Sequence, residues 1–357
     1  MKVGIIGLPQ VGKKTLFEIL TGEKITAEMM AGKNEVKLGA AKIRDERFEK
    51  LVATYKPKRV SPAMLDVVLL PKFDKETLVS GECLKAIEKC QALCHIVRAF
   101  DNEAVFHIDG TVDPLRDIEK VYTELILSDL ILIEKRLERL QKEVRIKSDP
   151  QQIRENEILT GMKALLDENK PLIGFSLSAE DKKLMSTYQF LTQRPLIIVL
   201  NMNEDKLSQT DLLKKVEDQY GQFGVKVMQI SAKIEAELND LPPEEQEVFL
   251  EDLNIKESAL NLLSRLCFQA LGLISFFTVG ENEVHQWTVR AQSTAWEAAG
   301  AIHSDIQRGF IRAEIFKYDD LIEMGSEAAL KQAGKVYLKG KDYVMEDGDI
   351  MFVRFNV

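Results

Sequence analysis

Residues 3–15 read Val-Gly-Ile-Ile-Gly-Leu-Pro-Gln-Val-Gly-Lys-Lys-Thr, and they constrain the fold more than any other stretch. Val3 to Ile6 is an apolar run of strand length. Gly7, four residues and Gly12-Lys13 follow, and from Lys14 an amphipathic helix begins with Leu16, Phe17, Ile19 and Leu20 on one side. Strand, glycine-rich turn, lysine and helix make a phosphate-binding loop. Its backbone N–H groups surround phosphate oxygens, and the helix N-terminus adds partial positive charge. Lys13 is expected to reach the outer phosphates. The residue after it is the exception. A Ser or Thr there ligates Mg²⁺, but this chain has Lys14, and an ammonium has no lone pair to offer a metal. Thr15 stands one residue late.

Downstream, apolar runs alternate with helical patterns. Lys37–Ile43, Met64–Leu70, His95–Phe100, Leu196–Leu200 and Val225–Ile230 read as strands. Arg44–Tyr55 and Leu84–Leu93 read as helices between them. Such alternation predicts a parallel α/β sheet. From Asp113 the period changes: Leu130, Ile133, Leu137, Leu140 and Val144 recur at intervals of three and four, a coiled-coil seam. Asp149-Pro150 breaks it. A second helical run with Ile158, Met162 and Leu165 on one face completes a helical hairpin, read as a lever on the sheet domain. Ser178 is placed as a helix cap. From about Leu273 short strands surround one helix, Ala295–Arg308, with Asp342–Val344 and Asp349–Phe355 as closing strands, which suggests a small α+β domain.

The 357 residues allow two or three domains. The net charge of −9 argues against a general nucleic-acid binder, yet residues 1–60 carry 13 Lys and Arg against 7 Asp and Glu, a local +6 that suits a polyanion or simply a solvated surface. Cys83, Cys90, Cys94 and Cys267 form no metal-ligand spacing and are read as buried thiols. No apolar run of about 18 residues spans a membrane, and the chain enters a strand at once, so the cytoplasm is expected.

The other chemistry-bearing segments follow two strands. Asn201-Met202-Asn203-Glu204 stands where a base-reading Asn-Lys-x-Asp would stand, and Ser231-Ala232-Lys233 follows the next strand, as a turn beneath the base. A carboxylate in that place accepts hydrogen bonds from guanine. Glu204 for Asp and Met202 for Lys weaken the case for guanine.

On these pieces the chain resembles the YchF, or Obg-like ATPase, family. Further matching segments are His95-Ile-Val-Arg-Ala-Phe100, Ile234-Glu-Ala-Glu-Leu238, Ala298–Asp305, Gly309-Phe-Ile-Arg-Ala313, Gly340-Lys-Asp-Tyr-Val344 and the ending Phe355-Asn-Val357. The resemblance implies a G-type P-loop domain from residues 1–112 and 195–271, an inserted helical hairpin at 113–194, and a small β-grasp-like TGS domain at 272–357. It implies preference for ATP over GTP and association with ribosomes or translation factors; RNA, which the resemblance does not itself imply, stays open beside a protein-facing surface. The phosphates would be held by Gln10, Val11, Gly12, Lys13, Lys14 and Thr15, and the adenine side by Asn201, Met202, Glu204, Ser231 and Ala232. His107 matches a histidine tied to hydrolysis.

The chain departs from the family on the metal side. Lys14 replaces Ser, Lys33 stands where a second Mg²⁺ ligand belongs, and Asp66-Val67-Val68-Leu69 is read as the altered Asp-x-x-Gly. Two lysines at two ligand positions suggest nucleotide binding without Mg²⁺, and slow or absent hydrolysis. Two other readings stay open: a scaffold that binds no nucleotide, and an active ATPase that recruits Thr15 to the metal.

Overall fold

The structure is a computed structural model and describes residues 1–25, 36–73, 81–146, 149–253, 255 and 257–356. Lys33 lies outside the described residues. Twelve strands are found among them: β1 Lys2–Ile6, β2 Lys37–Lys42, β3 Arg59–Ser61, β4 Met64–Leu69, β5 Ala92–Arg98, β6 Leu196–Asn201, β7 Lys226–Ile230, β8 Leu273–Thr278, β9 Glu283–Arg290, β10 Phe310–Lys317, β11 Tyr337–Lys339 and β12 Asp349–Phe355. The chain forms two compact units. One takes in Met1–Ala40 and Asp66–Leu260, the other Ala41–Leu65 and Asn261–Val357. Residues 41–65, assigned from sequence to the P-loop part, therefore cluster with the carboxy-terminal part. No helix among the described residues is long and apolar enough to cross a membrane.

The first unit is built on a sheet of order β2-β4-β1-β5-β6-β7. β1 pairs in parallel with β4 and β5, and β5, β6 and β7 continue in parallel. Every residue of β5 and β6 is buried, as the unbroken apolar runs require of strands covered on both faces. The helix expected over Leu84–Leu93 is shorter, Glu82–Ile87, and the strand begins earlier, at Ala92. The continuous apolar run from Ala92 is claimed by the parallel ladder to β1 and β6.

The hairpin consists of helices Pro114–Ile146 and Pro150–Asp167. Asp149 caps the second by accepting from the Gln151 N–H, and Pro150 sits at its first turn, where a missing N–H costs nothing. Ile133 and Leu140 of the seam are fully buried, while Leu130 and Leu137 are half-buried. On the second helix Leu166, rather than Leu165, joins Ile158 and Met162 inside. Arg136 binds both oxygens of Glu155, at 2.8 and 2.9 Å, across the pair. The fully buried Asp129 carboxylate accepts from the Leu191 and Thr192 N–H groups and the Thr192 hydroxyl, tying the helix to the segment that leads into β6.

The second unit holds a mixed sheet of order β11-β10-β12-β8-β9-β3. β8 and β9 form an antiparallel hairpin, β12 lies parallel to β8, and β3 lies parallel to β9. Helix Glu46–Tyr55 buries Phe48 and Leu51 against Phe277, Val284, Phe316 and Ile350. On the other side Ala295, Ala298 and Ala299 pack on Phe276, Ile315 and Met351. The single helix expected over Ala295–Arg308 is two, Ala295–Ile302 and Ser304–Arg308. His303 between them is extended and accepts from the Asp305 N–H, capping the second. Asp342–Val344 forms one bridge, Thr294 to Val344, rather than a strand.

Candidate nucleotide-binding site

The carboxyl ends of β1, β5, β6 and β7 meet at one edge of the first sheet. Register places Ile6 beside His95, Arg98 beside Asn201, and Asn201 beside Ile230. Such an edge, between strands that leave β1 in both directions, is where open α/β sheets take ligands.

The turn after β1 departs from ordinary backbone at three residues: Gly7 at φ 146°, Gln10 at 59° and Gly12 at 101°. A Cβ at Gly7 would lie 2.4 Å from the Ile96 carbonyl oxygen, and one at Gly12 2.5 Å from Asn201 Nδ2. Both glycines are needed for close approach as well as for torsion. Gly12 caps helix Lys13–Thr21 in the left-handed conformation, and the first intrahelical bond runs from Leu16 N to the Gly12 carbonyl. The N–H groups of the first turn have no intrahelical acceptor and suit phosphate oxygens. Lys13 is buried and donates to the Gly7 carbonyl. Lys14 is exposed and Thr15 half-buried.

Asn201 joins the two halves of the site. Its Nδ2 donates to the Val11 carbonyl at 3.0 Å, and its Oδ1 accepts from the Ala232 N–H at 3.0 Å. Ser231 is buried and caps the following helix by accepting from the Ile234 N–H. Met202 is buried, with its N–H on the Ile230 carbonyl. Glu204 is exposed in a short 3₁₀ turn, Glu204–Lys206. Gln10 is exposed and Val11 buried. The sequence-derived phosphate and base residues thus come together at one edge.

Asn203 of that segment is tied to two residues the sequence reading did not name, Asp101 and, through it, Lys206. The Asn203 side chain accepts from the Asp101 N–H at 2.7 Å and donates to its carbonyl at 3.2 Å, and Lys206 pairs with the Asp101 carboxylate at 2.6 Å. Loops leaving adjacent parallel strands must run side by side, and that is the signal that linked Asp101 to Asn203. His95 sits beneath the phosphate loop, 2% exposed. Burial, helped by the Lys13 charge, pulls it down to about 3, so its ring is neutral.

His107 is buried, with both ring nitrogens engaged. Nδ1 accepts from the Asp109 N–H at 3.1 Å, so the proton is on Nε2, which donates to Asp117 at 2.8 Å. Arg116 holds the other Asp117 oxygen.

The metal side differs from the sequence reading at Asp66. Register sets Asp66 beside Lys2 at the start of β1, where it pairs with the Met1 amino group at 3.3 Å. Three residues of strand, roughly 10 Å, separate it from the end of β4. The residue beside Ile5 at that end is Leu69, buried and apolar. A P-loop enzyme's second metal-holding group, a carboxylate, belongs at this strand end. No group of three or more His, Cys, Asp or Glu side chains among the described residues stands where it could hold a metal. Lys14 and Leu69 thus stand where a P-loop enzyme carries a hydroxyl and a carboxylate.

Comparison with known proteins agrees with this geometry. Residues 273–356 match the family model YchF-GTPase_C, described as "Protein of unknown function (DUF933)". The chain is 37% identical over 365 residues to "Ribosome-binding ATPase YchF" of Bacillus subtilis (strain 168), covering 100% of both chains. It is 36% identical over 373 residues to "Obg-like ATPase 1" of Oryza sativa subsp. japonica, covering 100% of this chain and 92% of that one. The solved YchF GTPase of Schizosaccharomyces pombe superposes with a TM-score of 0.85 at 31% identity, over 99% of this chain and 97% of that one. With the phosphate loop, the Asn201 link and full-length likeness in hand, the chain belongs to the YchF/Obg-like ATPase family.

Proposed function

We propose that this protein binds ATP in preference to GTP, acts with the ribosome or a translation factor in the cytoplasm, and hydrolyses ATP slowly or not at all. The observation that carries the binding is Asn201, whose amide fixes the phosphate loop to the turn at Ala232. A site held in place in this way needs little reorganisation to receive ligand. Gln10 to Thr15 hold the phosphates. Met202, Glu204, Ser231 and Ala232 frame the base, with Glu204 as the group that distinguishes purines. Lys14, together with Lys33 by the sequence reading, supplies part of the positive charge that Mg²⁺ would otherwise bring. Support for weak hydrolysis comes from Lys14 and Leu69 in place of a hydroxyl and a carboxylate, and from His107, whose ring nitrogens are occupied by Asp109 and Asp117. The ribosomal link rests on the names of the relatives, and RNA contact is a finer part of the same proposal. The hairpin at 113–194 and the TGS-like part at 272–357 are the partner-facing parts.

Competition against a fluorescent ATP analogue tests the nucleotide assignment, and co-sedimentation with ribosomes tests the partner. ATP displacing the probe at least tenfold better than GTP supports the reading. A protein that takes up no probe is a scaffold, and GTP displacing better overturns the base assignment.

A further inference from the structure

Arg98 closes β5, beside Asn201 in register, and is 2% exposed. Among the described residues its partners are carbonyl oxygens and one aromatic face, not a carboxylate. Nε donates to the Phe100 carbonyl at 3.2 Å, Nη1 to that of Val105 at 2.9 Å and Nη2 to that of Asn102 at 3.2 Å. The guanidinium lies 4.6 Å from the Phe100 ring centre. A buried cation is costly unless it is hydrogen-bonded, and charge-assisted bonds with a cation–π contact offset that cost here. All of these contacts go to one loop, residues 100–105. The far side of the loop is held by His107, on Asp109 and Asp117.

The braced loop meets the base-reading segment at Asn203. The main chains of the two strands bond as far as the Ala99 N–H and the Asn201 carbonyl, at 2.8 Å. Past that point the Asn203 side chain takes over, accepting from the Asp101 N–H at 2.7 Å and donating to the Asp101 carbonyl at 3.2 Å. A side-chain amide carries both a donor and an acceptor, so it serves as one more rung between the chains. The Asn203 carbonyl also accepts from the Lys206 N–H at 3.1 Å, closing the 3₁₀ turn Glu204–Lys206. Glu204 stands in that turn, exposed, and its carboxylate has no partner among the described residues. A carboxylate left free in this way is placed only by the backbone that carries it.

We propose that Arg98 and Asn203 are positioning residues for base selection. Arg98 stiffens the loop, and Asn203 fixes the turn of Glu204 to it. The inference rests on Glu204 as the group that distinguishes purines, and both side chains act through it. Hydrogen bonds weaken steeply as their geometry opens, so a displaced Glu204 loses discrimination while the phosphate contacts remain.

The test is competition against a fluorescent ATP analogue, with ATP and GTP as competitors, on the full-length protein and its variants. The ratio of the two inhibition constants is the readout, because loss of stability or of phosphate contacts weakens both nucleotides alike. Asn203→Ala is expected to reduce the preference for ATP from about tenfold to about threefold or less. Asn203→Asp keeps an acceptor for the Asp101 N–H but sets a carboxylate oxygen against the Asp101 carbonyl, and is expected to lose as much. Arg98→Lys, which keeps the charge without the planar fork, is expected to lower the ratio too. Arg98 is buried, so the Asn203 variants decide the matter if Arg98→Lys fails to fold. Full preference retained in both Asn203 variants overturns the inference and leaves the ATP assignment standing. So does loss of the probe altogether in those variants, since Asn203 would then support the whole site. A wild type that prefers GTP, with that preference lost in the variants, overturns the ATP assignment and supports the brace. A wild type that treats the two purines alike, or takes up no probe, overturns both.

Discussion

Asn201 Nδ2 donates to the Val11 carbonyl across 3.0 Å, joining the end of β6 to the phosphate loop. The same amide accepts from Ala232, so one buried side chain sets the spacing of two loops. Asn201→Ala strands a buried carbonyl and a buried N–H, at about 1–3 kcal/mol each. We expect roughly 2–4 kcal/mol of lost stability by urea unfolding, with nucleotide affinity down about tenfold. Asn201→Asp separates the two bonds. It keeps an acceptor for Ala232 but sets a carboxylate oxygen against the Val11 carbonyl, so it is expected to impair nucleotide binding as much as Ala does.

His107 is expected to behave as a structural residue. Its ring ties the loop at Asp109 to Asp117 on the long helix. His107→Ala leaves both partners short of a bond and should cost about 1–3 kcal/mol, seen as a lower melting temperature. The affinity for a non-hydrolysable ATP analogue should stay within about twofold. A variant that melts like the wild type but loses ATP turnover selectively would return His107 to a catalytic role.

The buried, neutral His95 gives the first unit a pH dependence. Its folded value lies at about 3, below the ordinary 6.5. The unfolded chain therefore binds the extra proton first as pH falls. The stability that comes from a neutral His95 is complete above pH 6.5 and is lost progressively between about 6.5 and 3. Between pH 7.5 and 5.5 the loss from this residue is about 1.4 kcal/mol. Urea midpoints at the two pH values should show it, and His95→Asn should flatten the difference.

Lys14 tests the charge argument. Lys14→Ser restores a hydroxyl after Lys13 but leaves Leu69 at the end of β4. Removing one exposed cation is worth about 0.2–1 kcal/mol, so affinity measured in a chelator should fall up to about fivefold. Mg²⁺-stimulated phosphate release should not appear, because the strand end still lacks a carboxylate. Brisk Mg²⁺-dependent release by the wild type, unchanged in Lys14→Ser, would instead assign the metal to Thr15.

Local signals carried most of the first unit. The phosphate loop, the apolar strands, the Asp149-Pro150 break and the Asn201 and Ser231 turns are each set within a few residues. Asp66 was misplaced because its role depends on register with β1, a non-local pairing that spacing along the chain does not reveal. Residues 41–65 cluster with the carboxy-terminal unit for the same kind of reason: β3 pairs with β9, and Phe48 and Leu51 pack on Phe277 and Val284. The break at His303 was hidden by alanines and polar residues that suit one helix as well as two. Asp101, Asn203 and Lys206 meet only because β5 and β6 are neighbours.

The nucleotide site is expected to work without Mg²⁺. Calorimetric titration with a non-hydrolysable ATP analogue, once with Mg²⁺ and once with a chelator, tests it most directly. Dissociation constants within about threefold of each other are the predicted result. Binding that requires Mg²⁺, or no binding under either condition, would contradict it.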